Sequence, residues 1–566
     1  MRDKSKGRLP GNAQSAATAD KEPLIEQIAS FVGFFIFLLV LKSFFVPLFI
    51  IPTGSMAETL YGAHAIHTCP NCGVEYSIGL PPEGNRPAVP VVQCPNCHWQ
   101  EHIGPASERA ALKAQGVAID GVINSAFRRR TGDRIMVHGW PYDIGGMFGP
   151  RRWDVVVFKV PSDGQTNYIK RLIGKPGETI EIIDGDIFVT PAGGDEAHIA
   201  TKPSSAQRSL WFPYYDHDYS PRAPAAGATF HPRWVPLAED NGWRDVETRQ
   251  PRFARADGQR GEILFVTEPG PTRQPGLIAD TYGYDLAFGL ERLPGRRGTR
   301  AVPAQQRIVT DVRLGCELTV AGGDPDGYVE LSLEKYTDRF FARLYADGRL
   351  TLECQRAGDT ERLLLGEHAT EVTDDPIALA LNNVDYQVSF ELNGQTVITS
   401  SPEWYVLNAD QARARSSRKQ TPRVCIAAQG VRAQLAHLLI ERDVFYTSDV
   451  RLDHERRGYG TQGNPIRLGN DQYFMMGDNS PASLDGRFSF AQQGQNPPSQ
   501  PAGPHLKDAW QRGEYQIGTV PADQLIGPAF FVYWPATDAL FPDRYLPGPL
   551  RKVNHLPNPG RIRWIR

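Results

Sequence analysis

The sequence predicts a mostly β protein held on one N-terminal transmembrane helix, and three observations carry that prediction. Glycine (54) and proline (46) make up about 18% of the 566 residues, against an average of ~12%, which favours turns and short strands over long helices. Asp347-Gly348 and Asn393-Gly394 sit between alternating apolar residues, the strongest short-range hairpin signal. Residues 28–51 form an apolar run of 24 residues whose one charge is Lys42. At ~150 residues per domain, the length leaves room for three or four domains. The formal net charge of −3 provides no global basic field, which argues against nucleic acid as a partner. A mean hydropathy of −0.38 argues against a polytopic membrane protein.

In chain order, the anchor comes first. At ~1.5 Å rise per residue, residues 25–48 are long enough to cross a ~30 Å hydrocarbon core. Arg2, Lys4, Lys6, Arg8 and Lys21 precede it, whereas residues 52–68 contain no Lys or Arg. The positive-inside rule therefore expects residues 1–24 as a cytoplasmic tail and the rest beyond the membrane. The rival is a cleavable signal peptide, since residues 28–41 fit an h-region.

Directly after the anchor, Ile51-Pro52-Thr53-Gly54-Ser55-Met56 offers a serine in a tight turn. Gly132-Asp133-Arg134-Ile135-Met136-Val137 and Trp153-Asp154-Val155-Val156-Val157-Phe158 read as buried strands. Asn167-Tyr168-Ile169-Lys170-Arg171-Leu172 sets a lysine in an apolar strand, where lost hydration lowers its pKa toward the range of a base. Near the end stand Met475-Met476-Gly477-Asp478-Asn479-Ser480-Pro481-Ala482-Ser483-Leu484-Asp485-Gly486-Arg487 and then residues 520–531. Singly, each is an ordinary turn or strand. In this order after an anchor, they resemble the bacterial type I signal peptidases, Ser/Lys proteases with an all-β catalytic core, over roughly 160 positions.

The resemblance implies that Ser55 is the nucleophile and Lys170 the general base that takes its proton and returns it to the leaving amine. It implies that Ser483 orients the lysine, that Asp485 and Arg487 form a supporting ion pair, and that Thr53 and the Ser55 backbone N–H make the oxyanion hole. Phe49, Ile51, Tyr168, Ile169 and Met475 would line shallow pockets for the small side chains preceding the cut, in signal peptides of exported preproteins. Thr53 and Gly486 both stand where serine is usual in the family.

Cys69-Pro70-Asn71-Cys72 and Cys94-Pro95-Asn96-Cys97 repeat one knuckle. Four thiolates in two such turns fit a structural zinc ribbon with no open coordination position. Two disulfides are the alternative, because the expected topology puts the knuckles outside the cytoplasm. Catalysis itself calls for no cofactor. His64, His67 and His98 read as surface residues, and Cys316, Cys354 and Cys425 as buried thiols.

Residues 191–304, with Trp211, Trp234 and Trp243, read as an irregular, partly β insertion. Short alternating segments at 317–320, 329–333, 340–345, 350–352, 386–392 and 434–440 then argue for a β-sandwich over 305–447. It weakly resembles jelly-roll sandwiches of the laminin G and concanavalin kind. That resemblance admits a carbohydrate or protein ligand, with Tyr328 or Tyr336 stacking on a sugar, as well as a scaffold with none. The expected plan is thus tail 1–24, anchor 25–48, nucleophile segment 49–66, zinc ribbon 67–102, general-base segment 103–190, the two insertions, and a closing core segment with C-terminal tail over 448–566. The expected function is a single-pass, cell-membrane serine endopeptidase with its catalytic domain outside the cytoplasm. The alternatives are a membrane-tethered carbohydrate- or protein-binding protein with a degenerate protease core, and a self-cleaving Ser-Lys repressor-type enzyme.

Overall fold

The computed structural model describes residues 24–81, 91–104, 106–114, 119–123, 127–220, 233–255, 257–266, 278–281, 283–284, 288–292, 299–303, 307–401, 404, 408–417, 420–450, 457–490, 501, 503–539, 555–557 and 559–565. The expected cytoplasmic tail lies outside these almost entirely. The helix Leu24–Val40 continues into a π-helical turn, Leu41–Phe45. Residues Ile25–Phe45 have a mean hydropathy of 2.3, and none is buried against the protein. By length and composition this helix can span a bilayer, and no other described helix is both as long and as apolar.

Beyond it the chain is mostly β, as the turn-rich composition predicts. One sheet runs in the order Leu48–Ile50, Arg134–Val137, Leu525–Trp534, Val155–Lys159, Asn167–Gly174, Gln472–Met476 and Val520–Pro521. It is therefore assembled from segments up to about 480 residues apart in the chain. Side chains alternate across a strand, so Ile51, Ile135, Val137, Val155, Val157 and Ile169 form one cluster. Val156, Phe158, Leu172, Met475 and Val520 form another. A smaller sheet, Thr179–Ile183 with Asp186–Thr190 and two short strands, packs beside it.

The sandwich is built on two long antiparallel strands, Val312–Lys335 and Val424–Arg442. The expected strands at 317–320 and 329–333 prove to be halves of the first. The Gly322-Gly323-Asp324-Pro325-Asp326-Gly327 stretch between them shifts the register and bends the strand without ending it. One half pairs with Ile377–Val384, which leads on to Gln387–Leu392 and Gln395–Thr399. The other half pairs with Asp338–Tyr345, followed by Arg349–Gln355 and Leu363–Ala369. Leu314, Leu381 and Phe390 from the first side meet Leu331, Phe340 and Leu352 from the second in a shared core. Both hairpins stand where expected: Asn393 and Gly394 have φ of 49° and 76°, as a type I′ turn demands, and Gly348 has φ of 91°.

The expected boundary at residue 304 is not a structural one. Phe212–Asp216, Arg252–Phe253 and Gly261–Phe265 all pair with Val424–Arg442, and Trp234 and Trp243 enter the same core. Sparse apolar periodicity hid these strands because they are short and their partner lies some 200 residues away. The candidate sugar platforms are packed as well. Tyr336 is buried, donating its hydroxyl to Asp184 at 2.7 Å, and the Tyr328 ring lies 4.6 Å beneath the Arg343 guanidinium.

The sandwich and the smaller sheet meet at a buried seam of charge. Lys202 pairs with Asp385 and, at 2.8 Å, with Asp443. Lys335 pairs with Asp311 and lies 3.8 Å from Asp186. All six residues are buried.

Candidate active site

Ser55 sits in the turn that follows Leu48–Ile50, with Ala57 N–H donating to the Gly54 carbonyl at 2.9 Å and Leu60 N–H to the Met56 carbonyl at 2.8 Å. Asn479 ties this turn to the far end of the chain. Its backbone N–H donates to the Ser55 carbonyl at 3.2 Å, and its side-chain amide to the Gly54 carbonyl at 3.0 Å.

Lys170 lies inside Asn167–Gly174, where pairing with Val155–Lys159 on one side and Gln472–Met476 on the other fixes its backbone. Its Nζ is 2.6 Å from Ser55 Oγ and 3.1 Å from the Ile169 carbonyl. Only 3% of the residue is exposed. Among the described residues no carboxylate forms an ion pair with it. Burial therefore dominates, with Asp485 and Asp478 opposing from farther off, and the pKa is lowered to about 8. A lysine in this state, within hydrogen-bond reach of a hydroxyl, can accept its proton near neutral pH.

The neighbouring Arg171 takes the opposite course. Its Nε and NH2 donate to the two carboxylate oxygens of Asp478 at 2.7 Å each, and NH1 donates to the Trp153 carbonyl. Asp478 thereby fixes the loop from which Asn479 holds the serine turn. Asp485 and Arg487 form the expected ion pair, at 2.8 and 2.9 Å and fully buried. Asp485 also accepts the Gly477 N–H at 3.1 Å, while Arg487 NH1 and NH2 donate to the Ser480 hydroxyl and carbonyl, each at 2.8 Å. Arg171, Asp478 and Asn479 carry no local signal for these roles, since their partners lie up to 425 residues away.

Two expectations need correction. Ser483 is buried, but its Oγ makes no hydrogen bond to Lys170 or to any other described residue. Ser483 packs against Gly477, where a Cβ would lie 2.3 Å from both Ser483 Oγ and the Ser55 carbonyl. The five expected pocket residues also fail to share one surface. Phe49, Ile51 and Ile169 join one apolar cluster with Met56 and Leu60, whereas Tyr168 and Met475 join the other. Tyr168 and Ile169 are consecutive in a strand, so their side chains face opposite ways. Thr53 is exposed in the turn before Ser55.

The four paired cysteines converge. Cys69 and Cys97 Sγ are 3.5 Å apart, Cys72 and Cys94 Sγ 3.7 Å, and all four lie within 4.8 Å of one another. Tetrahedral zinc with arms of ~2.3 Å needs sulfur–sulfur edges of ~3.8 Å, so this donor set fits the metal. The knuckles cap the hairpins His64–Thr68 with Glu75–Gly79 and Val91–Gln93 with Gln100–His102. His64 is buried rather than on the surface, donating Nδ1–H to the Gly62 carbonyl at 2.8 Å. Cys316, Cys354 and Cys425 are buried thiols as expected.

A family profile described as signal peptidase, peptidase S26, matches residues 122–226 and 394–534. It spans Lys170, Ser483, Asp485 and Arg487 and leaves Ser55 outside. Signal peptidase I of Rickettsia canadensis (strain McKiel) is 41% identical over 59 residues, 10% of this chain and 22% of the relative. Signal peptidase I of Rickettsia akari (strain Hartford) is 42% identical over 55 residues, 10% and 21% respectively. The chain thus spans about a fifth of the length of the curated relatives it matches. Among solved structures, a carbohydrate-binding module CBM66 from Bacillus subtilis is similar at a TM-score of 0.22 and 12% identity, covering 37% of this chain and 96% of that one. At that level neither fold nor ligand transfers. Over part of its length the chain is thus similar to signal peptidases of peptidase family S26.

Proposed function

We propose that this protein is a membrane-anchored serine endopeptidase that removes signal peptides from exported preproteins. The contact between Lys170 Nζ and Ser55 Oγ at 2.6 Å carries the reading. The neutral lysine takes the serine proton as Oγ attacks the scissile carbonyl. The lysine then gives that proton to the departing amine, and water repeats the cycle on the acyl-enzyme. The exposed Thr53 hydroxyl and the Ser55 N–H supply the oxyanion donors. Tyr168, whose ring centroid lies 5.4 Å from Lys170 Nζ, borders the dyad and favours small apolar side chains before the cut. The helix Leu24–Val40 with Leu41–Phe45 holds the site at the membrane, N-terminus cytoplasmic, where the substrate's own apolar segment lies.

Zinc at Cys69, Cys72, Cys94 and Cys97 would fix the two knuckles without entering the chemistry, because four thiolates fill its coordination shell. The test of the whole reading is incubation of the detergent-solubilised protein with a labelled preprotein. Cleavage at one bond after the signal sequence, absent in Lys170→Ala, is the expected result; unaltered processing by that variant sinks it. The binding-protein alternative finds no support in the dyad, whose two side chains are in contact.

A further inference from the structure

The long insertion reaches back to the nucleophile turn through a residue that the family match does not cover. Tyr284 is 6% exposed. Its hydroxyl donates to the Ala63 carbonyl at 2.7 Å, and its own carbonyl accepts the Gly79 N–H from the first knuckle hairpin at 2.9 Å. Its ring packs near Tyr61, 5.7 Å between centroids, and near His64, 6.4 Å. The ring edge also fills the space above Gly54: a Cβ on Gly54 would lie 1.9 Å from Tyr284 Cε1. The preceding Gly283 abuts Pro95 of the second knuckle, 3.0 Å from where its Cβ would be. Tyr284 is thus the point where insertion, ribbon hairpin and nucleophile turn touch, one residue from Ser55.

The turn is held from one side by Asn479. Without Tyr284 its other side would have open space in place of an aromatic ring, and the peptide that carries Ser55 could shift. We propose that Tyr284 is a positioning residue for the nucleophile, so that the insertion forms part of the catalytic apparatus. The inference rests on the proteolytic reading above. A displacement of about 1 Å at a reacting atom can cost on the order of 100-fold in rate, so the effect belongs in kcat, with KM little changed.

The test compares Tyr284→Ala, Tyr284→Phe, Gly54→Ala and the double variant Gly54→Ala/Tyr284→Ala in the full-length, detergent-solubilised protein, with Ser55→Ala as control. Tyr284→Ala should lower kcat by about 10- to 100-fold with KM within about threefold. Tyr284→Phe keeps the ring and should retain most of the rate. Gly54→Ala should be severely impaired alone yet add little to Tyr284→Ala, because the added methyl then has space. A purely structural role would lower the amount of folded protein and leave kcat per folded molecule unchanged, so rates are normalised to the amplitude of a cooperative melt. The proposal is overturned if Tyr284→Ala has wild-type kcat, or if the Gly54→Ala penalty is undiminished in its presence. Should Tyr284→Ala fail to fold, Tyr284→Leu replaces it under the same criteria. Processing by Ser55→Ala would instead remove the proteolytic reading beneath it.

Discussion

Two buried lysines in this protein have opposite fates. Lys170 faces a serine hydroxyl and a carbonyl, and desolvation pulls its pKa down to about 8. Lys202 is as fully enclosed, but Asp385 and Asp443 outweigh the same desolvation and raise its pKa. Burial alone therefore does not make a base. What distinguishes the cleft from the seam is the absence of a paired carboxylate, and the nearest acids of the cleft are engaged elsewhere: Asp478 by Arg171, Asp485 by Arg487. Those arginines draw off the negative charge that would otherwise hold Lys170 as an ammonium.

This contrast can be broken in four ways, in descending order of effect. Ser55→Ala and Lys170→Ala should each reduce kcat for preprotein cleavage by about 10⁴-fold or more, since members of a nucleophile–base pair act as a unit; an effect within tenfold would refute the dyad. Lys202→Met should leave the cleft intact but strand two buried carboxylates, lowering stability by about 3–5 kcal/mol in denaturant melts, while kcat per folded molecule stays near wild type. The third test is pH. Lys170 must be neutral to act, so kcat/KM should rise about tenfold per unit as pH increases toward 8 and level off above it. The linkage has the matching sign: a folded-state pKa below the unfolded ~10.4 means the unfolded chain binds the extra proton, so this group's contribution to stability increases from about pH 8 to 10. A flat profile between pH 6 and 9 would contradict the assignment. The smallest effect is expected of Ser483→Ala. Its hydroxyl makes no bond to the lysine here, so a loss above about tenfold would show that the bond forms only with substrate present.

How much of this was legible in the sequence depended on the distance over which each feature is determined. The serine turn, the strand lysine, the Asp485–Arg487 pair and the two Gly-containing hairpins are local patterns, and each stands where its residues predicted. The four cysteines were legible for the same reason, each knuckle being a four-residue motif. Features set by remote partners were not. Nothing around Asn479 announces Gly54, nothing around Tyr284 announces Ala63, and the Lys202 seam joins residues from four separate stretches. The Gly-rich stretch near residue 324 read as a gap between strands because glycine marks turns and bulges alike, and only the partner strand decides which. Ser483 shows the converse: the family motif implied a hydrogen bond to the lysine, yet its buried hydroxyl makes none, because the motif fixes the residue and not the direction of its side chain.

The insertion leaves the catalytic core and returns to it at nearly one point, since Gly185 and Tyr446 form a β-bridge with Tyr446 N–H donating to the Gly185 carbonyl at 3.2 Å. That closeness bears on the chain entropy of closing the core. Strands Asn167–Gly174 and Gln472–Met476 must pair across a loop of about 300 residues if the insertion is still unfolded. Once the sandwich has formed, its adjacent ends shorten that loop to about 40 residues. The difference in closure entropy, which grows as (3/2)RT ln n, is about 2 kcal/mol. A folded sandwich thus lowers the entropic cost of bringing the Lys170 strand and Gln472–Met476 together.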